Sequence, residues 1–141
     1  MKERIELIKS LTEPFMKSIL YPPANEKEIS DFEKSNDIII PKSYKEFLML
    51  TNGAILFGGD AFLYGISGEV KYHINHDFTG GQVPKQLLIL CYYRDRHICY
   101  DYRDEFFVFY REGEYEHIKE ECMIFNIFCE VLDYMIDIAI N

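Results

Sequence analysis

The chain has 141 residues, of which 48% are hydrophobic and 16% aromatic, with 11 Tyr, 11 Phe and no Trp. This apolar content excludes a disordered chain, and the length predicts a single domain over residues 1–141 with a core of Phe and Tyr. The net charge of −9 disfavours nucleic acid and anionic membrane as direct partners, because both carry the same sign.

The excess negative charge is concentrated at one end of the chain. Residues 1–100 carry 13 acids and 12 bases, whereas residues 101–141 carry 11 acids and 3 bases. This distribution favours a basic protein as the partner, because opposite charges attract across an interface. The competing interpretation is that the acidic residues serve solubility alone.

The first predicted helix lies in residues 1–13, where charged residues alternate with Ile5, Leu7, Ile8 and Leu11. Pro14 ends or bends it. This segment has no continuous apolar run of the kind that a signal peptide contains, so we expect a cytoplasmic protein. In that compartment the four cysteines are expected to be reduced thiols.

A second helix is predicted from its capping signals. Asn25 can cap the first turn, and Glu28 three residues later completes a capping box. Ile29 and Phe32 lie on one face, and Asn36 marks the end of the helix, where a left-handed residue is often needed.

A third helix is predicted over residues 41–51. Pro41 suits its first turn, where a missing N–H costs nothing. Gly53 closes it by supplying a positive φ. The predicted buried stripe consists of Tyr44, Phe47, Leu48 and Thr51.

Residues 23–53 resemble the SUKH superfamily, named partly for a yeast Knr-type cell-wall regulator and known mostly from bacterial immunity proteins. Its pattern is an Ala-x-x-x-Glu-Ile-x-x-Phe-Glu helix, then Leu-Pro-x-x-Tyr-x-x-Phe-Leu, then Asn-Gly-Gly. The matching positions are Ala24, Glu28, Ile29, Phe32, Glu33, Pro41, Tyr44, Phe47, Leu48, Asn52 and Gly53. The departures are Ile40 for Leu, Ala54 for the second Gly, and Asn36 or Asp37 for the glycine usual at the helix end.

A looser resemblance continues into the strand-rich region, about residues 54–118, where Asp101 corresponds to the family's strand-end Asp. The seven-residue apolar run 87–93 is typical of a central strand covered on both faces. The short links between the strands imply antiparallel hairpins. Strands are predicted at 62–64, 87–93, 97–102 and 106–110, while 70–78 stays ambiguous between a turn and a strand.

The last predicted helix covers residues 120–140. The polar positions between 122 and 140 step by 4, 3 and 4, so they form one narrow stripe: Asn126, Glu130, Asp133 and Asp137. Three carboxylates in this stretch disfavour a membrane span. We expect the helix to pack on the sheet with its acidic stripe in water. A contact of the wide apolar face with another chain is the alternative, so the oligomeric state stays open between monomer and homodimer.

Signals for chemistry are weak. His73 and His76, with Asp77, form a His-x-x-His pair that lacks a third ligand, so we expect no metal and no cofactor. The cysteines have no Cys-x-x-Cys spacing, and Cys122 and Cys129 are seven apart, on one predicted helical face. Buried thiols are the expectation, with a Cys–His dyad from Cys91 or Cys99 and His97 as the catalytic alternative.

The segment 101–121 interleaves acids with tyrosines, a composition suited to recognising a Lys- and Arg-rich protein. An aggregation-resistant sheet edge is the other interpretation. The predicted partner-binding residues are Tyr102, Asp104, Glu105, Tyr110, Glu112, Glu114 and Glu116.

The sequence predicts an α+β fold with N-terminal helices, a mostly antiparallel sheet and a C-terminal helix packed on it. The resemblance implies the SUKH fold and a bacterial immunity protein that binds a cognate toxin domain, often a nuclease, without catalysis. One alternative is a non-catalytic regulatory scaffold of the yeast type, and a second is a small hydrolase or metal enzyme.

Overall fold

The structure, a computed structural model, describes residues 1–67, 73–74, 84, 86–111, 114–115 and 122–141. Its helices are α1 (Lys2–Ser10), α2 (Glu26–Asn36), α3 (Lys42–Leu48) and α4 (Phe128–Ile140). Its strands are β1 (Ile19–Leu20), β2 (Ala54–Leu56), β3 (Ala61–Leu63), β4 (Leu87–Tyr93), β5 (Arg96–Asp101), β6 (Phe106–Arg111) and β7 (Ile124–Phe125).

The described strands form one antiparallel sheet in which each strand pairs with the next along the chain. β4 is buried along nearly its whole length, as its apolar run predicts. Ile98 and Tyr100 on β5 pair with Phe109 and Phe107 on β6, so these four side chains share one face of the sheet. The predicted α+β class and the antiparallel hairpins are confirmed.

Helices α3 and α4 cover that face. The ring of Phe128, the first residue of α4, lies 4.6 to 5.7 Å from the rings of Tyr44, Phe47 and Phe107, centroid to centroid. All four side chains are fully buried. The Phe128 N–H donates to the Ser43 hydroxyl at 3.0 Å. These contacts place the first turns of α3 and α4 beside the end of β5, where the candidate site lies.

The signals that predicted α2 and the turn after α3 are confirmed. Asn25 and Glu28 form the predicted capping box. The prediction of Asn36 as the left-handed residue is wrong: the helix continues through Asn36, and Asp37 is the left-handed residue, with φ 52°. Gly53 has the predicted positive φ of 82°. Other details differ: Pro41 precedes α3 as its N-cap, and the helix ends at Leu48.

The C-terminal helix begins at Phe128, eight residues later than predicted. Ile124 and Phe125 pair with β6 instead of continuing the helix. The N–H groups of Asn126 and Ile127 then donate to the Glu130 carboxylate, at 3.2 Å each. Cys122 therefore lies outside the helix, and the prediction that it shares a helical face with Cys129 is wrong. The apolar run crosses this boundary without a Ser, Thr, Asp or Asn cap directly before Phe128, so periodicity could not locate it.

The acidic stripe of α4 is only partly in water. Glu130 and Asp137 are exposed, but the half-buried Asp133 accepts two hydrogen bonds from Arg4 on α1, at 2.7 and 2.9 Å. The opposite side of α4 is buried at Leu132 and Ile136. In the part of the chain that the structure describes, no helix combines the length and hydrophobicity needed to cross a bilayer.

Candidate protein-interaction surface

The β5–β6 hairpin turns through residues 102–105, and Asp101 sets its shape from inside the fold. Asp101 is fully buried at the end of β5. Its Oδ1 accepts a hydrogen bond from the Arg103 N–H at 2.9 Å, and its carbonyl oxygen accepts one from the Glu105 N–H at 2.7 Å. Glu105 closes the turn at a positive φ of 57°. Asp101 therefore positions the acidic loop that carries Asp104 and Glu105.

Tyr102 connects this hairpin to the link between α2 and α3. Its hydroxyl donates to the Ile39 carbonyl oxygen at 2.7 Å. Burial raises the pKa of Tyr102 to about 12, so the phenol keeps the proton it donates at physiological pH. The side chain of Ile39 is 71% exposed, although Ile38 and Ile40 on either side are buried. The backbone of Ile39 is thus held while its side chain points to solvent.

Tyr100 extends the same surface towards α4. Its ring lies 5.4 Å from that of Tyr102, edge to face. Beside it is a hollow of about 390 Å³, also lined by Lys42 and Glu46 on α3 and by Ile127 before α4. Ile127 is 48% exposed. Burial raises the pKa of Tyr100, and the nearby Glu105 carboxylate raises it further. Apolar rings and side chains therefore adjoin acidic groups along this surface.

A second depression, a groove of about 600 Å³, lies between α2 and Ile39. Glu33 organises it: its Oε2 accepts from the Ile40 N–H at 2.7 Å and lies 3.1 Å from Lys45 Nζ. One carboxylate therefore joins α2, the link and α3. The groove is balanced in charge, because Glu33 and Asp37 face Lys34 and Lys45.

Other residues of the sequence motif position this surface from the core. The Tyr44 hydroxyl contacts the carbonyl oxygens of Tyr64 at 2.5 Å and Leu90 at 3.1 Å, which fixes α3 to the sheet. Asn52 accepts from the Ile66 N–H at 2.8 Å and donates to the Ser67 carbonyl oxygen at 3.0 Å. Pro41, Phe47, Leu48 and Gly53 are buried.

The structure separates the predicted partner-binding residues. Tyr102, Asp104 and Glu105 lie together on the hairpin, whereas Glu114 follows the far end of β6. The six residues of β6 span about 17 Å at about 3.3 Å per step. Tyr110 is 2% exposed and packs edge to face on Tyr115, so its burial gives no support to the prediction of Tyr110 as a contact residue.

Two of the predicted contact residues, Glu112 and Glu116, lie outside the described residues, as do His76 and Asp77 of the histidine pair and most of the ambiguous stretch 70–78. His73 is described: it is exposed and forms an isolated bridge with Gly65. Among the described residues, no group of three His, Cys, Asp or Glu side chains is arranged to hold a metal ion.

The thiols of the sheet are poorly placed for nucleophilic chemistry. Cys91 and Cys99 are fully buried, and burial raises the pKa of both thiols, the reverse of what a reactive thiolate needs. His97 contacts Tyr115 instead, with its Nδ1 2.7 Å from the phenol oxygen. This geometry gives no support to the Cys–His dyad.

Comparison with known proteins assigns the family. A family model described as the SMI1 / KNR4 family (SUKH-1) matches residues 23–129. The chain belongs to this family. A Bacillus subtilis protein, the uncharacterized protein YnaB, is 39% identical over 61 residues. That similarity covers 43% of this chain and 42% of YnaB, so it spans less than half of either protein.

Two exposed residues of the candidate interaction surface, Ile39 and Ile127, were not predicted from the sequence. Neither is among the residues predicted to bind a partner: Ile39 lies in the link between α2 and α3, and Ile127 falls within the predicted helix 120–140. For Ile39 a signal existed in its neighbour: Ile40 directly precedes Pro41 and so favours extended backbone, in which successive side chains alternate in direction. In Ile38-Ile39-Ile40, burial of the outer two therefore turns the middle one outward. Ile127 was predicted to lie inside the C-terminal helix, on its apolar face, so its exposure could not be predicted.

Proposed function

We propose that this SUKH-1 protein is a bacterial immunity protein that binds a cognate toxin domain in the cytoplasm and neutralises it by stoichiometric contact. The observation that carries the proposal is the family match over residues 23–129. The resemblance implies the immunity role, with a toxin that is often a nuclease. The charge of residues 101–141, which carry 11 acids and 3 bases, supports a basic target.

The proposed mechanism is occlusion of the toxin's active-site cleft. A nuclease cleft is basic because it must bind phosphate groups, so a protein that presents carboxylates competes for the same surface. Asp104 and Glu105 stand exposed at the turn of the β5–β6 hairpin, where they can pair with Lys and Arg. The held backbone of this turn supports tight binding, because little order is lost on association.

No bond changes in this mechanism, and it requires no cofactor or metal. The buried thiols of Cys91 and Cys99 support a non-catalytic role, because a nucleophile must be accessible and deprotonated. The degree of inhibition should therefore depend on the molar ratio of this protein to the toxin, with each molecule neutralising one toxin molecule.

The experiment is a rescue assay with the gene found next to that of this protein. Where the neighbouring gene encodes a large protein, the C-terminal domain of that protein is expressed from an inducible promoter, alone or with this chain. We expect the domain to stop growth alone and growth to return when the chain is co-expressed. The control co-expresses an unrelated acidic protein of similar size. Growth arrest that persists despite soluble chain would refute the proposal for this pair.

A further inference from the structure

A row of apolar and aromatic side chains, exposed at its two ends and half-buried between them, crosses the end of the sheet. It consists of Ile39, Tyr102, Tyr100 and Ile127, and is called the Ile39–Ile127 strip. Tyr102 donates to the Ile39 carbonyl oxygen, the Tyr100 and Tyr102 rings are 5.4 Å apart, and Tyr100 and Ile127 line one hollow. The strip is therefore continuous. Grouped apolar side chains of this kind mark interaction sites more often than single ones do.

The strip is held before any partner arrives. The peptide group after Ile39 is held twice, because Tyr102 donates to the Ile39 carbonyl oxygen and the Ile40 N–H donates to Glu33. Before Ile39, the Ile38 N–H donates to the Glu33 carbonyl oxygen at 3.1 Å. The Ile127 N–H donates to Glu130 at 3.2 Å. An anchor whose backbone is already ordered loses little conformational entropy on binding, which is the property of an efficient contact residue.

The charges beside the strip select the partner. Among the described residues around Tyr100, Ile127 and the hairpin, acids outnumber bases: Glu46, Asp104, Glu105 and Glu130 against Lys42 and Arg103. Arg103 Nε lies 4.0 Å from a carboxylate oxygen of Asp104. The groove between α2 and Ile39 carries equal numbers of acidic and basic side chains. The negative field therefore lies on the hairpin and α4 side, where a basic segment would be held.

We propose that the Ile39–Ile127 strip is the docking face for the toxin domain, and that it receives a basic segment carrying an apolar side chain between Lys or Arg residues. The apolar side chain would enter the hollow between α3 and α4, while the basic side chains would meet the hairpin and Glu130. This inference rests on the proposed function and adds to it the contact face and the chemistry of the bound segment.

The test compares exposed isoleucines inside and outside the strip. Ile39→Ser and Ile127→Ser remove strip anchors, and Ile140→Ser and Ile19→Ser are the matched controls, since these residues are 53% and 54% exposed at the end of α4 and on β1. Each variant is bound to the immobilised C-terminal domain of the neighbouring open reading frame, and its rate constants are recorded. Thermal melting confirms that each variant is folded.

We expect Ile39→Ser to weaken binding about tenfold, mainly through faster dissociation, and both controls to stay within about twofold of the wild type. Wild-type affinity in both strip variants overturns the inference, as does equal weakening in all four variants. The proposed function fails separately: wild-type protein that does not bind the domain removes both proposals, whereas binding that ignores the strip removes only this one.

Discussion

Arg4 on α1 and Asp133 on α4 form a two-pronged ion pair, with nitrogen–oxygen distances of 2.7 and 2.9 Å. Residues 1–22 and 130–141 lie outside the family match, so this pair joins the two ends of the chain that flank the shared family region. In α1, Arg4 is followed by the buried residues Ile5 and Ile8. The pair therefore fixes α1 on α4, at a position where the sequence predicted a freely solvated aspartate.

A double-mutant cycle measures this pair. Arg4→Ala, Asp133→Ala and the double variant should reveal a coupling energy of about 0.5–1 kcal/mol in urea unfolding. The value is modest because the side chains keep 31% and 50% of their exposure, so water screens them. The loss of unfolding free energy in the double variant should be smaller than the sum of the losses in the two single variants. Strict additivity would mean that the ion pair contributes nothing in solution.

The same pair predicts a dependence on pH. Its hydrogen bonds to Arg4 lower the pKa of the Asp133 carboxyl below its ordinary value. A lowered folded-state pKa stabilises the protein above the unfolded-state pKa of about 3.9, and this stability is lost as the pH falls through the lower value. The stability difference between wild type and Asp133→Asn should therefore be constant near pH 7 and shrink below about pH 4. A difference that grows in acid would contradict the assigned shift.

Gly53→Val should destabilise the protein by about 1–2 kcal/mol or more. The residue sits at φ 82°, which a β-branched side chain adopts only with strain. Gly53→Asn is the matched variant, because Asn tolerates left-handed backbone and should cost less. Chemical denaturation of the three proteins gives the comparison. A valine variant as stable as the asparagine variant would show that the turn does not require this conformation.

Features governed by short-range chemistry were predictable from the sequence. The capping box of Asn25 and Glu28, the positive φ of Gly53 and the bounds of β4 depend on residues close together in the chain. The start of α4 was not predictable, because Ile124 and Phe125 satisfy their backbone by pairing with β6 and not by continuing the helix. Such a choice between two partners is decided by tertiary contacts.

The site shows the same division. The acidic hairpin at Asp104 and Glu105 was predictable from composition and a strand-end aspartate. Its separation from Glu114 was not, because only the course of β6 reveals the distance between the two ends. The pairing of Tyr102 with Ile39, 63 positions away, likewise has no local signal.

The four cysteines should divide into two classes of reactivity. Burial raises the pKa of Cys91 and Cys99, whereas Cys122 and Cys129 are half-buried near the surface. Reaction with 5,5′-dithiobis(2-nitrobenzoic acid) at pH 8 should therefore show two faster thiols in the native protein and four after denaturation. Cys122→Ser and Cys129→Ser should each remove one fast equivalent. Four equal native rates would contradict the burial of the sheet thiols.

Charge reversal should show whether the hairpin carboxylates attract the partner or serve solubility alone. Asp104→Lys with Glu105→Lys should slow association with the toxin domain about three- to tenfold, because the hairpin carboxylates act at long range. Glu3→Lys with Glu6→Lys changes the net charge equally on the exposed side of α1 and should matter less. The difference should shrink as salt shortens the screening length below about 8–10 Å. Equal slowing by both pairs would assign the effect to net charge alone.

We propose that this SUKH-1 protein inhibits a toxin by binding it one to one. The direct measurement is a titration of the purified toxin domain's activity, nuclease activity where the domain is a nuclease, with increasing amounts of the purified chain. Stoichiometric inhibition should produce a linear loss of activity that reaches completion near one equivalent, with the activity restored when the complex is dissociated. Activity that survives excess chain, or permanent loss at a small fraction of an equivalent as a catalyst would produce, would contradict it.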